Sequence, residues 1–164
     1  HDTYMESLGL DFGLTHTEYM VNEKTGNIAL IETAARGGGS LIPSHIIPQF
    51  LDKDLYDFYI EEMLNPGNSA MPRILKHEQK VVGLKFFELP KGRIKSIDGL
   101  EYLHKDNNLI HFHLDVKVGD NISPMIDDRS RHGFFIIIAR DVVEFECLFE
   151  KYMTTLKVHY YENV

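Results

Sequence analysis

Cysteine is almost absent from this sequence. The 164 residues hold one, Cys147, so no internal disulfide can form, and the chain fits a reducing compartment, read here as the cytoplasm. No apolar run approaches the roughly 20 residues that a membrane-spanning helix needs. No signal peptide is visible. Positive charge is scarce: 17 Lys and Arg stand against 25 Asp and Glu, a net charge of −8. That balance speaks against nucleic acid and against an anionic membrane surface, since both attract clustered Lys and Arg. There is no internal repeat and no low-complexity segment. An initial Met is lacking too. The chain opens at His1, and the expectation is a piece of a longer protein. What is present is globular composition, 43% hydrophobic and 26% charged, enough for one ordinary domain or the end of a larger one.

The chain is organised around residues 16–40. Two runs rich in β-branched and aromatic residues, Thr15 to Val21 and Ile28 to Arg36, flank a loop containing Gly26. That pattern predicts an antiparallel hairpin. Centred on Thr25, with Gly26 left-handed in a three-residue loop, the hairpin pairs Glu23 with Asn27, Val21 with Ala29, and Glu18 with Glu32. Two carboxylates directly opposite on one face have Cβ atoms roughly 5 Å apart and repel each other. A bound proton or a cation between them would offset the repulsion. Hard divalent cations such as Mg²⁺ bind through one or two carboxylates plus substrate phosphates. Side chains alternate along a strand, so His16, Ala34 and Arg36 share the acid face. Gly37, Gly38 and Gly39 follow, where backbone amides can approach an anion unobstructed. For His16, a hydrogen bond to backbone and a functional contact are both open.

These residues carry a resemblance. Glu18, then Glu32 with Arg36 four residues later and a glycine-rich loop, resembles the metal-binding end of an ATP-grasp ligase. The usual superfamily motif is Glu-x-Asn-x-Arg, and Ala34 stands here in place of the Asn. Glu-x-Ala-Ala-Arg after a Thr-His-Thr-Glu segment, as at residues 15–18, resembles the branch that includes bacterial L-amino-acid ligases. The likeness continues through Leu41-Ile42-Pro43. Carbamoyl-phosphate synthetase and biotin carboxylase are more distant. The resemblance implies that Glu18 and Glu32 hold Mg²⁺, or Mn²⁺, bridging ATP phosphates. It implies that Arg36 contacts the acyl phosphate or the substrate carboxylate.

The rest of the chain reads as α+β. Residues 2–10 end a helix with Met5, Leu8 and Tyr4 inward. Ser44 caps a short helix through Phe50, with Pro48 limiting it. Asp52 or Asp54 starts another, with Leu55, Phe58, Tyr59 and Met63 at helical spacing, stopped at Asn65-Pro66-Gly67. A connector over 65–75 places a boundary near Met71. The expected organisation is residues 1–70 as the C-terminal part of the catalytic domain, an antiparallel sheet with helices, and residues 71–164 as a small α+β subdomain. In the latter, strands are expected over 80–89, 93–97, 109–116, 133–139 and 156–161. A short helix is expected over 98–104. A second helix is opened by an Asp141–Glu144 capping box and carries Phe145, Leu148, Phe149 and Tyr152 as its apolar stripe. Cys147 is expected in the core. Segments 92–99, 116–120 and 131–134 resemble structural motifs of the same ligases in outline.

His111 and His113 point the same way, as metal ligands can, but no Cys or acid is spaced to complete a site, so they read as an exposed or satisfied pair. In the polar loop 127–131, Arg129 and Arg131 read as local salt-bridge partners, with Arg131 a further candidate for substrate contact. The resemblance implies an ATP-dependent carboxylate–amine ligase with ATP, a small carboxylate and an amine as substrates, amino acids foremost, and a homodimer as one assembly. It also implies a preceding ATP-grasp portion that supplies the nucleotide clamp, without which the chain alone is inactive. Two other readings stay open: a carboxylating enzyme, against which Ala34 speaks, and a non-catalytic module, against which the retained Glu18, Glu32 and Arg36 speak.

Overall fold

The computed structural model describes residues 2–9, 12–75, 80–127 and 130–162. By their internal contacts the residues divide into two compact units, 1–75 and 76–164.

In the first unit, α1 (Asp2–Ser7) buries Met5. Leu8, expected inward, is 52% exposed. The helix closes on Leu8 N–H to Met5 O and Gly9 N–H to Glu6 O, and Gly9 turns left-handed at φ 67°, so Leu8 has left the helical face. The burial of Tyr4 lies outside the described residues. Strands β1 (His16–Val21) and β2 (Ile28–Ala34) form a two-stranded antiparallel sheet. Next comes a π-helical turn, Ile42–Ile46, and then a 3₁₀ turn, Ile47–Phe50. The expected helix capped at Ser44 is therefore replaced by two short irregular turns. Ser44 sits inside the first of them and its Oγ donates to Leu41 O at 3.3 Å. Pro48 has no N–H to continue the first turn's ladder.

Helix α2 (Leu55–Leu64) starts at Asp54, not Asp52. The Asp54 carboxylate accepts from the N–H of Tyr56 at 2.8 Å and of Asp57 at 3.1 Å, satisfying two orphan donors. Phe12 stacks on Tyr59 with ring centroids 5.2 Å apart. Asp52 instead holds the returning chain. Its carboxylate accepts from Arg73 N at 2.7 Å and Arg73 Nε at 3.2 Å, beside an isolated bridge between Leu51 and Ile74.

The second unit has two three-stranded antiparallel sheets. In one, β7 (Gly133–Ala139) lies between β3 (Val81–Phe86) and β5 (Leu109–Leu114). In the other, β4 (Gly92–Asp98) lies between β6 (Asn121–Ile122) and β8 (Lys157–Tyr160). A short α3 (Leu100–Leu103) follows β4, and α4 (Val142–Thr155) follows β7. The central run Phe134 to Ile138 explains why β7 is interior: Phe135, Ile136 and Ile137 are fully buried. Phe145, Phe149 and Tyr152 of α4 are buried in the same core as Phe87, Ile94 and Leu103. Gly83 of β3 makes room for that helix, since a Cβ there would meet Phe145 Cε2 at 2.8 Å.

Two expectations for α4 are corrected. Cys147 is exposed. It lies two residues from both Phe145 and Phe149, about 200° around the helix from each, so it points away from their stripe. The cap is also shifted. Asp141 accepts from Glu144 N at 2.8 Å as expected, but Glu144 reaches Arg140 N at 2.7 Å and Arg140 Nε at 3.0 Å, one residue before the box position.

Candidate functional site

The hairpin sets the site. Asn22 and Asn27 close its loop, with Asn22 N–H donating to Asn27 O and Gly26 N–H to Asn22 O, both at 2.8 Å. The Asn22 side chain accepts from Lys24 N at 3.0 Å and Thr25 N at 3.2 Å. That Asx turn takes one more residue into the loop than expected. Near the loop the pairs are Val21 with Ile28, Met20 with Ala29 and Tyr19 with Leu30. The expected pairs Val21–Ala29 and Glu23–Asn27 are thereby corrected, although Gly26 is left-handed at φ 71° as expected. A bulge then shifts the register between Glu18 and Tyr19, leaving Ile31 as the extra residue. Beyond it Glu18 faces Glu32, Thr17 faces Thr33 and His16 faces Ala34.

Directly paired residues leave an antiparallel sheet on the same side. Glu18 and Glu32 therefore stand together, and both are exposed. Neither carboxylate has a hydrogen-bond or ion-pair partner among the described residues. Thr17 and Thr33, on the other side, share a hydroxyl hydrogen bond of 3.2 Å. Arg36 follows the end of β2, is exposed, and its Nη1 donates to Gly37 O at 3.0 Å. The glycine turn is tightly packed on two of its three residues. A Cβ on Gly37 would meet Pro43 Cγ at 2.6 Å, and one on Gly38 would meet His16 Cδ2 at 2.9 Å, while Gly39 faces open space. Ser40 and Leu41 then take left-handed φ values of 52° and 60°.

Arg131 belongs to the second unit, where its guanidinium lies 3.8 Å over the Phe86 ring. His113 Nε2 lies 2.9 Å from Asp115 Oδ1, and the His111 ring packs beside Phe134 with centroids 6.0 Å apart. Arg129 is outside the described residues. The histidine that sequence reasoning passed over is His132. It is buried, its Nδ1 accepts from Leu89 N–H at 2.9 Å, and its Nε2–H donates to Ser123 O at 2.9 Å. Nothing in its local sequence distinguished it from an exposed loop residue.

Among the described residues no group of three or more His, Cys, Asp and Glu is placed to hold a metal ion. A pair of facing, unpartnered carboxylates nevertheless suits Mg²⁺, which takes one or two carboxylates and completes its shell with water and phosphate oxygen. No helix is long and apolar enough to cross a membrane among the described residues.

Residues 85–161 match the family described as L-amino acid ligase C-terminal domain 2. No curated protein sequence matches the chain. Among solved structures it is similar to an L-amino acid ligase from Bacillus licheniformis, at 21% identity and TM-score 0.69, over 96% of this chain and 38% of that one. A phosphoribosylglycinamide synthetase from Anaerococcus prevotii is similar at 12% identity and TM-score 0.70, over 96% and 39%. An N5-carboxyaminoimidazole ribonucleotide synthetase from Thermotoga maritima is similar at 17% identity and TM-score 0.56, over 97% and 40%. The chain thus spans about two fifths of the length of these proteins. It carries the α+β fold of the C-terminal part of an ATP-grasp ligase, with residues 85–161 matching the second C-terminal domain of the L-amino acid ligases.

Proposed function

We propose that this chain is the cation- and acyl-phosphate-holding end of an ATP-dependent carboxylate–amine ligase, with amino acids as substrates. The observation that carries the reading is the pairing of Glu18 with Glu32 across the hairpin, four residues before Arg36 and its glycine turn. Bound Mg²⁺, or Mn²⁺, would neutralise charge on the phosphoryl group as it passes from ATP to the substrate carboxylate. Glu18 and Glu32 would hold that cation. Arg36 has one N–H committed to Gly37 O, and its other donors would grip the acyl phosphate in a planar fork. The amides of Gly37 to Gly39 would stabilise the oxyanion as the amine attacks the acyl carbon and phosphate leaves. Arg131 is kept as a substrate-binding candidate. The nucleotide clamp would come from a portion like the remaining three fifths of the relatives. The reading places the reaction in the cytoplasm, which the lone Cys147 supports.

The test is phosphate release from ATP by the full-length ligase with a panel of amino-acid pairs. Glu32→Gln keeps the shape and removes the charge. Activity should fall about a hundredfold, or about 2.7 kcal/mol of transition-state stabilisation. An active wild type matched by this variant would show that the acids do not carry the reaction. Phosphate release with bicarbonate and no amino acid would favour a carboxylating enzyme instead.

A further inference from the structure

The glycine turn and the acid face meet at one side chain that hydrogen bonding does not explain. His16 is half-buried at the start of β1, opposite the small Ala34. Its ring makes no hydrogen bond among the described residues. Its packing is close. Cδ2 and Nε2 would lie 2.9 and 3.5 Å from a Cβ at Gly38, and Ile42 Cδ1 would lie 3.4 Å away. Gly37 is pressed in the same way against Pro43. Neither glycine has a left-handed φ, so it is the neighbours, and not the backbone angle, that leave no space for a side chain.

We propose that His16 is a positioning residue: its imidazole ring props Gly38 and so fixes the amide-lined turn relative to Glu18, Glu32 and Arg36. This rests on the ligase reading of the same site and replaces a direct substrate contact by His16. The imidazole fills the volume that an alanine methyl at 38 would take. Ring shape, not ring nitrogen, is what the turn uses. A misplacement of about 1 Å in such a turn can cost roughly a hundredfold in rate.

The experiment is a set of variants of the full-length ligase, assayed by phosphate release and by amino-acid KM. His16→Ala and Gly38→Ala should each lower kcat by roughly tenfold or more, since the turn moves without losing a substrate contact. His16→Phe keeps a planar ring and should stay within about threefold of wild type. The double variant His16→Ala with Gly38→Ala exchanges one filled volume for another. It should recover roughly tenfold over Gly38→Ala alone, a coupling that independent sites would not show. A His16→Phe variant as impaired as His16→Ala would overturn the proposal and return the ring nitrogens to substrate binding. So would a double variant no better than Gly38→Ala. Should Glu32→Gln prove silent, the ligase reading fails separately. A nuclear Overhauser contact between His16 Hδ2 and the Gly38 α protons then decides the packing without activity, and its absence overturns the proposal.

Discussion

The paired carboxylates were legible from residue types alone, but by a partly compensating route. The expected loop was one residue too short and lacked the bulge at Ile31. The two omissions cancel at Glu18 and Glu32. Asn22 is the reason: its side chain recruits the N–H of Lys24 and Thr25, a local competition with strand pairing that alternation does not reveal. Arg36 invites a residue-level test. Arg36→Lys keeps the charge and loses the planar fork, so amino-acid-dependent phosphate release should fall by about tenfold or more. A Lys variant as fast as wild type would mean that a point charge is enough. Asp106 invites another. Burial raises its pKa, but the Lys151 hydrogen bond at 2.5 Å, the Asn108 N–H and the Lys151 charge outweigh that, and the net shift is downward. A depressed carboxylate stabilises the fold above its unfolded value, about 3.9, and that stability is lost as pH falls through the lower folded value. Asp106→Asn should therefore cost on the order of 0.5 kcal/mol near neutral pH, since Lys151 is largely solvent-exposed. The difference from wild type in urea midpoint should shrink on the acid side. A gap that stays constant down to the most acidic point would contradict the assignment.

At the scale of elements, strength of pattern decided what could be read. The five-residue apolar run of β7 and the 145–149–152 stripe of α4 announce themselves because burial imposes one period over the whole element. Strand β6 has two residues, too few for any period. The π and 3₁₀ turns over 42–50 meet where Pro48 interrupts a helical pattern, which shows where a helix fails but not what replaces it. Apolar character points Cys147 to the core, but its angular position on α4, about 200° from Phe145 and Phe149, points it to solvent. Its exposure predicts that the thiol reacts stoichiometrically with a bulky disulfide reagent in the native chain, without denaturant. Protection until denaturant is added would put the residue back in the core. His132 gives the complementary test. It satisfies a backbone donor and a backbone acceptor from two loops, so His132→Ala should orphan both and cost about 2 kcal/mol, read as a drop in urea midpoint at unchanged slope.

The two units differ in how far each can account for its own stability. Residues 76–164 enclose a continuous cluster from Phe87 through Leu156 that includes the fully buried Ile94, Phe135 and Ile137. Among the described residues of 1–75, only Met5 and Pro43 are buried. Its hairpin exposes Met20, Val21, Ile28 and Ile31, and α2 exposes Ile60, Met63 and Leu64. A lone two-stranded sheet is marginal in water, and apolar side chains left exposed add no burial to support it. The composition of the whole chain hid this difference, because it averages a finished core with an unfinished one. The consequence is asymmetric. Residues 76–164 produced alone should unfold in one cooperative transition with dispersed amide resonances. Residues 1–75 produced alone should show no cooperative transition and should bind a hydrophobic dye, because conformational entropy of roughly 1–2 kcal/mol per residue has too little burial set against it. A sharp melt from 1–75 alone would show that the hairpin and its two acids stand without further support. It would also mean that the cation site can be measured on that piece in isolation.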